Sequence, residues 1–488
     1  MPDWVVVLAV TLAYLALSLV VGLASGRKTS AGTEGYVAGD RTLAFLVLYF
    51  VLGASIFSAF AFLGGPGWAY SRGASAFYIL SYGTVGMVPW FWYGPKVARL
   101  GRRHGYVTQA ELFAHRFESR GLSAVLAVLS LVAFVPYLTL QMQGAGYVFN
   151  TVTEGRIPVW AGAAIAYGVV LVYVFHSGVM GVAWTNTLQG VFMMALAWIL
   201  GLYLPWKLYG GVGPMFEALA TERPEMLVPP GLTASGGTWS WGGYSSAIAV
   251  SAIGFSLWPH YFMKIYTARD NRTLRRSVVF YPTFQIFLIP ILFIGFAGIL
   301  RFPGVTPADA ILPTILTSLD LPAVVVGLFC AGALAASMST GDALVHAAAS
   351  VLVRDGYRVL FRPDLDPVRE TRLIRILVVV ISAVAYYFAV VSKISLVALL
   401  LLSYGFVAQI APVLLATFLM PRASKAGVLS GLIAGCTVVV LLNFRPELQL
   451  ADVHPGIWGL GVNLLVLALV SRRTAPPADE HVRKFLEA

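Results

Sequence analysis

Charged residues are scarce in this chain. Asp, Glu, Lys and Arg make up 11% of its 488 residues, roughly half of their share in a typical soluble protein. Hydrophobic residues make up 58%, and the mean hydropathy is +0.80. A chain of this length with so little charge is excluded from the soluble enzymes and nucleic-acid-binding proteins, although its net charge is +11. The composition predicts an all-α polytopic membrane protein.

Several features that the sequence lacks narrow the class of protein further. The only two cysteines, Cys330 and Cys436, lie inside apolar runs, which excludes a disulfide framework. No basic residue precedes the first apolar run, whereas a cleaved signal peptide begins with positive charge. No loop is long enough for a soluble domain, and no cluster of catalytic groups such as HExxH is present. We therefore expect a protein that is not an enzyme.

Thirteen apolar segments are candidates for membrane-spanning helices, each of which needs about 20 apolar residues. Several are long enough to require tilt or an internal break. The predicted segments are 4–25, 42–71, 75–95, 121–148, 158–175, 180–206, 241–263, 277–300, 321–352, 374–392, 394–420, 426–443 and 455–471.

The distribution of basic residues predicts the orientation. With the N-terminus outside and the C-terminus inside, 26 of the 33 Lys and Arg residues fall on inside segments, including Arg27, Lys28 and Lys264. Seven, including Lys393, fall outside. This follows the positive-inside rule with an odd number of spans, and we expect the protein in a bacterial-type plasma (inner) membrane. The basic charge is then explained by contact with an anionic leaflet, and the amphipathic segment 101–120 is expected along the inner face.

Two spans carry signals for a broken helix. The second reads LGASIFSAFAFLGGPGWAY, and the seventh contains GFSLWPHY. Gly and Pro favour unwound backbone, which membranes tolerate only where it lines a cavity. Breaks at matching positions of two halves point to a transporter site near the midplane, although Gly and Ser could also serve close packing. We predict one transporter domain over 1–488, with a five-plus-five inverted-repeat core over about 42–206 and 241–420 and peripheral helices over about 4–25, 426–443 and 455–471.

The ninth span, with AGALAASMSTGDALVHAAA, is the most polar. Ala336, Ser339 and Thr340 share one helix face and offer oxygen ligands for a cation, or hydroxyls that bond to their own helix. Asp342 is the only acidic residue that we place within a span core, where a charge must face a cavity or a partner. His346 lies one turn further along. Asp342 and His346 could form a pH-sensitive coupling pair or simply satisfy each other.

Six ordered motifs over about 35–435 resemble the sodium:solute symporter family, which includes carriers of proline, pantothenate, sugars and monocarboxylates. The span-nine motif is the most diagnostic of them. The motifs are GYVAGDRTLAF, GASIFSAFAFLGGPGWAYSRG, YVTQAELFAHRF, FHSGVMGVAWTNTLQGVFM, ALAASMSTGDALVHAAASVLVRD and PRASKAGVLSGLIAG.

The resemblance implies thirteen spans, an inverted-repeat core and Na⁺-driven uptake by alternating access. It also implies a set of Na⁺ ligands: the carbonyls of Ala54 and Phe57, the carbonyl of Ala336, and the hydroxyls of Ser339 and Thr340. Na⁺ is the coupling ion on this interpretation, and no other cofactor is implied.

Three positions depart from the family pattern. Ile56 replaces the Asp of proline carriers, Asn186 replaces another acid, and Ser177 replaces a glycine. The ion shell is mostly neutral as a result. Proton coupling through Asp342 and His346 therefore stays open as an alternative.

The segments VPYLTLQMQGAGYVF and SLWPHYFMKIYTARD most resemble bacterial monocarboxylate and pantothenate permeases. Tyr137, Gln141, Trp258 and His260 are the predicted solute-lining residues, with ordinary packing as the alternative. A small carboxylate is the favoured solute, ahead of an amino acid such as proline and a sugar. A membrane solute sensor is the alternative from another class, and the pattern gives no oligomeric state.

Overall fold

The computed structural model confirms an all-α membrane fold. Helices make up 83% of the chain, and the β-structure of the described residues is limited to the isolated bridges Leu43–Ala268 and Leu232–Thr238. Arg27, Lys28 and Lys393, which entered the orientation argument, lie outside the described residues. The structure describes residues 3–26, 30, 32–319, 321–391, 396–449 and 451–488.

The α-helices of the described residues are joined by short loops and by single turns of 3₁₀- or π-helix. They are α1 (Asp3–Ser25), α2 (Phe45–Ala54), α3 (Gly65–Arg72), α4 (Tyr78–Gly86), α5 (Pro89–His104), α6 (Gln109–Arg116), α7 (Arg120–Val152), α8 (Val159–Tyr209), α9 (Val212–Glu222), α10 (Trp241–Phe255), α11 (Pro259–Thr267), α12 (Asn271–Gln285), α13 (Leu288–Arg301), α14 (Ile311–Ser318), α15 (Ala323–Val351), α16 (Val359–Phe361), α17 (Pro367–Val391), α18 (Leu396–Val407), α19 (Ala411–Leu419), α20 (Lys425–Phe444), α21 (Pro455–Arg473) and α22 (Asp479–Leu486).

Each of the thirteen predicted segments falls on one helix or on a pair of consecutive helices. Within the described residues, eight continuous helical stretches are long and apolar enough to cross a membrane by themselves. Other segments are divided into shorter helices, as broken spans require. The number of crossings stays a prediction.

Helix α8 is too long for one crossing. Its 51 residues would extend about 77 Å, more than twice the thickness of the hydrocarbon core. Gly178 divides it with φ 54° and ψ −140°, and a Cβ at Gly178 would lie 2.4 Å from the carbonyl oxygen of Tyr36. Only glycine suits this sharp turn, which lies between the two segments predicted here.

Helix α15 lies at the centre of the molecule. It packs against α1, α7 and α8, and every residue from Phe329 to Val351 is buried. Small side chains allow this close approach. At Gly341 an added Cβ would lie 2.2 Å from the hydroxyl of Tyr167. The most polar span of the sequence is therefore enclosed by protein on all sides.

Candidate functional site

The second span is broken where the sequence predicts it. Helix α2 ends at Ala54, and helical structure resumes at Ala59. The backbone N–H of Ala59 donates to Oε1 of Gln141 at 2.9 Å, and Nδ2 of Asn186 donates to the Ser55 hydroxyl at 3.0 Å. A side chain of α7 therefore satisfies a backbone donor that the break releases, as burial away from water requires, and a side chain of α8 bonds to a hydroxyl of the break.

The seventh span is also broken, between Phe255 at the end of α10 and Pro259 at the start of α11. The carbonyl of Ser256 accepts hydrogen bonds from Trp90 Nε1 at 3.0 Å and from the Tyr93 hydroxyl at 2.8 Å. Gln109 donates to the next carbonyl, that of Leu257, at 3.1 Å. Both predicted breaks are thus present, and each is held by polar side chains of neighbouring helices.

Three of the five predicted Na⁺ ligands meet where the first break touches α15. The Ser339 hydroxyl lies 2.9 Å from the carbonyl oxygen of Ala54 and 3.1 Å from that of Ala336. Asn186 reinforces the junction, because its Nδ2 also donates to the Ser339 carbonyl at 3.0 Å. The structure therefore brings two distant segments of the chain together through oxygen atoms.

The other two predicted ligands lie on the same two elements. The Thr340 hydroxyl is buried and has no hydrogen bond of good geometry among the described residues, although the Tyr137 hydroxyl is close to it. Phe57 belongs to the break, where its ring stacks on Phe284 at 5.2 Å. Neutral carbonyl and hydroxyl oxygens are ligands that hard cations accept. Na⁺ binding by this set stays a prediction.

Asp342 is fully buried, one turn beyond Ser339 on α15. Its Oδ2 accepts from the Tyr173 hydroxyl at 2.7 Å and from the Thr185 hydroxyl at 3.2 Å, both on α8. Its Oδ1 has no hydrogen bond within the described part of the chain, and neither has Oδ1 of Asn186. The contact between α15 and α8 therefore holds two acceptor oxygens without hydrogen bonds, one from Asp342 and one from Asn186.

Asp342 and His346 do not bond to each other. His346 Nε2 instead donates to the carbonyl of Tyr36 at 3.0 Å, and its ring lies 5.3 Å from the Tyr36 ring. The alternative that Asp342 and His346 satisfy each other by hydrogen bonding is therefore wrong. Each has partners from a different element, because one helical turn carries their side chains towards different neighbours. Their role in coupling stays a prediction.

The four predicted solute-lining residues lie together. Ring centroids are 4.9 Å apart for Tyr137 and Trp258, 5.6 Å for Trp258 and His260, and 6.2 Å for Tyr137 and His260. Gln141 follows Tyr137 by one turn of α7, and all four are buried. Among the described residues, Gln141 Nε2, Trp258 Nε1 and both His260 ring nitrogens have no hydrogen bond of good geometry. Their role as a solute site stays a prediction.

Lys264 is the main residue that sequence reasoning misplaced. The charge pattern places it on an inside segment, but it lies within α11 and is only 3% exposed. It interacts electrostatically with Asp342. Its position four residues after His260 could have placed it on the solute-lining face.

A buried ion network at one end of the core was also missed. Arg354, just beyond α15, lies 2.5 Å from Glu111 of α6 and 3.1 Å from Glu370 of α17. Burial works to raise the pKa of Glu111, but Arg354 and the backbone N–H groups of Val107 and Thr108 hold it below its usual range. The network ties together three elements that no local pattern connects.

Two broken helices around a polar central helix define the fold of a secondary transporter. The model of the sodium:solute symporter family matches residues 36–435. The chain therefore belongs to the sodium:solute symporter family, whose members are transporters and not enzymes.

Individual relatives agree with this assignment over nearly their full length. An uncharacterised symporter of Bacillus subtilis, YhjB, is 30% identical over 472 residues, covering 94% of this chain and 95% of the relative. The sodium/pantothenate symporter of Escherichia coli is 26% identical over 481 residues, covering 94% and 95%. The solved structure of a substrate-bound Na⁺-coupled sialic acid symporter superposes with a TM-score of 0.82 at 18% identity, covering 96% of this chain and 98% of that one. At this identity the last comparison supports the fold alone.

Proposed function

We propose that this protein is a Na⁺-coupled symporter that moves a small organic carboxylate by alternating access, with an inverted-repeat core and its N-terminus outside. The observation that carries the proposal is the contact of the Ser339 hydroxyl with the Ala54 carbonyl at 2.9 Å. It joins a broken helix to the central helix through oxygen atoms alone.

The cation side of the proposal rests on acceptor atoms. The Ser339 hydroxyl lies 2.9 Å from the Ala54 carbonyl oxygen and 3.1 Å from the Ala336 carbonyl oxygen. The Thr340 hydroxyl is buried beside them. A Na⁺ ion held by these oxygens would fasten α2 to α15 and stabilise one conformation of the core. Asp342, one turn away, supplies negative charge that favours a cation.

The solute side rests on donor atoms. Gln141, Trp258 and His260 present buried N–H groups that lack well-formed hydrogen bonds within the described structure. Buried donors are costly unless they find acceptors. A carboxylate supplies two oxygens with several lone pairs, and pantothenate, the solute in the name of one relative, carries such a group.

Tyr137 connects the two sides. Its ring packs against Trp258, while its hydroxyl lies near those of Ser58 in the break and Thr340 on α15. A solute that holds this ring in place would also help to order the oxygen atoms proposed to hold Na⁺, and the reverse is equally true. Binding of ion and solute is therefore expected to be mutually cooperative.

Proton coupling through Asp342 is the second candidate. It is favoured by the complete burial of this carboxyl group and by the unpaired state of its Oδ1 in the described structure. His346 is less suited to share the proton directly, because its Nε2 is engaged by the Tyr36 carbonyl.

Uptake into proteoliposomes tests the proposal. Labelled acetate, pyruvate, lactate, pantothenate and proline would be offered with an inward Na⁺ gradient, and separately with an inward H⁺ gradient. We expect one carboxylate to accumulate with Na⁺ alone. Accumulation driven only by H⁺ would move the coupling to Asp342, and no accumulation of any solute would favour the sensor alternative.

A further inference from the structure

Helix α11 carries a lysine in the interior of the protein. Lys264 is 3% exposed, and every other residue of α11 is buried as well. A lysine ammonium group has three hydrogen-bond donors and no acceptor. Removing it from water is costly unless an opposite charge or acceptor groups are close.

Asp342 supplies the opposite charge, but only at a distance. The ammonium group of Lys264 interacts electrostatically with Asp342 and His346 on α15 and with His260 on its own helix. The Asp342 carboxylate accepts its hydrogen bonds from α8. Within the described residues, no hydrogen bond or direct ion pair engages Nζ of Lys264. Its charge is therefore balanced while its donors stay available.

The donors of Lys264 continue a row along one face of α11. His260 precedes Lys264 by four residues, which places both on the same face. Both ring nitrogens of His260 lack a hydrogen-bond partner in the described part of the chain, and its ring lies 5.6 Å from that of Trp258. This face therefore leads from the proposed solute cluster, through an imidazole ring with one N–H donor, to the ammonium group of Lys264.

We propose that Lys264 is a specificity-determining residue that selects anionic solutes, because its ammonium group receives the carboxylate during translocation. This inference rests on the proposed function and names the charge class of its solute. The charges of Lys264 and Asp342 cancel, so the net charge of this part of the core is zero. Adding one Na⁺ and one monoanionic carboxylate keeps it neutral, whereas a neutral solute would leave the charge of Na⁺ unmatched.

The test compares each carboxylate with an uncharged analogue of the same shape: pantothenate with pantothenol, and lactate with lactamide. Uptake into proteoliposomes with an inward Na⁺ gradient would be measured for wild type, Lys264→Met, Lys264→Gln and Lys264→Arg. Lys425→Met, at an exposed position, is the matched control for the same chemical change.

We expect Lys264→Met and Lys264→Gln to lower carboxylate uptake roughly 30-fold or more, the usual loss when a buried charge pair is truncated. Uptake of the neutral analogue should be unchanged or increased. Lys264→Arg keeps the charge and should keep the preference for the carboxylate, while Lys425→Met should match wild type. If the uncharged variants are not recovered as folded protein, an arginine variant without this preference overturns the proposal.

A double variant separates solute recognition from simple charge balance. If Lys264 only neutralises Asp342, Lys264→Met combined with Asp342→Asn should restore carboxylate uptake, and that result would overturn the proposal. If Lys264 receives the carboxylate, the double variant should still lack carboxylate uptake although the net charge of its core is zero. Failure of the proposed function looks different, because wild type itself would then accumulate no carboxylate with Na⁺.

Discussion

Replacement of Ser339 by alanine is the sharpest test of the Na⁺ site. The substitution removes the one hydroxyl group that touches both the Ala54 carbonyl of the break and the Ala336 carbonyl of α15. Interactions of a hydroxyl with a charged partner contribute about 1.5–3 kcal/mol. The dissociation constant for Na⁺ should therefore rise by roughly ten- to 150-fold.

Ser350→Ala is the matched control. Ser350 lies on α15, as Ser339 does, and is equally buried. Its hydroxyl donates only to the carbonyl of His346, one turn earlier, at 2.7 Å. Both variants lose one neutral hydrogen bond, which is about 1 kcal/mol of folding stability. Only Ser339→Ala should also lose Na⁺ affinity.

Thermal unfolding in detergent measures this difference directly. An ion at 100 times its dissociation constant stabilises the folded state by about 2.7 kcal/mol, and a tenfold weaker site at the same concentration by about 1.4 kcal/mol. The Na⁺-induced shift in Tm should shrink for Ser339→Ala and stay at the wild-type size for Ser350→Ala. K⁺ at equal ionic strength corrects for salt effects. An undiminished Na⁺ shift in Ser339→Ala would refute the assignment of this site.

Further predictions concern coupling, pH and the fold. Asp342→Asn should alter the pH profile of solute uptake if this residue relays protons, and an unaltered profile would reduce Asp342 to a structural role. The lowered pKa of Glu111 contributes stability above the ordinary Glu pKa that is lost as the pH falls below it, so acid should lower Tm less in Arg354→Gln than in wild type. Gly178→Ala should destabilise by more than about 1 kcal/mol because its φ is positive, whereas Gly168→Ala, with no atom within 4 Å of the added Cβ, should not; thermal unfolding compares the two.

Local patterns predicted the broken helices correctly. Gly53 lies at the end of α2, just before the break in the second span, and Pro259 begins the helix after the break in the seventh. These residues act on their own backbone, so their effect is visible in a short window of sequence. The groups that satisfy the breaks were not predicted. Gln141, for example, reaches Ala59 across 82 positions of the chain, and no local pattern records that contact.

The partners of Asp342 also could not be predicted from local sequence. A carboxylate in an apolar span must have partners, so the sequence alone singled out Asp342. Ser339 and His346 were the candidate partners within one helical turn. The actual donors, Tyr173 and Thr185, are 169 and 157 positions away. The periodicity of one helix predicts which face is polar, but the neighbour that covers this face is decided by the packing of the whole core.

Lys264 escaped prediction for a different reason. Arg269 and further basic residues follow it closely, so it was grouped with a loop by its neighbours in sequence. The structure instead continues α11 through Lys264 to Thr267 and buries the whole helix. The boundary of a span is the least certain part of a hydropathy pattern. Lys264 lies at such a boundary, so the sequence assigns it to a loop, whereas the structure places its charge in the core.

The arrangement of donors and acceptors suggests how ion and solute are coupled. Acceptor oxygens gather on α15 and the first break, and buried N–H donors gather on α7 and α11. In a medium of low dielectric constant, a lone cation or a lone carboxylate adds an unmatched charge, whereas the two together add none. On this reasoning each ligand lowers the cost of binding the other, and the effect is reciprocal. Coupling then requires no separate relay between the sites, and a variant that changes the fixed charge at Lys264 should change which solute Na⁺ drives.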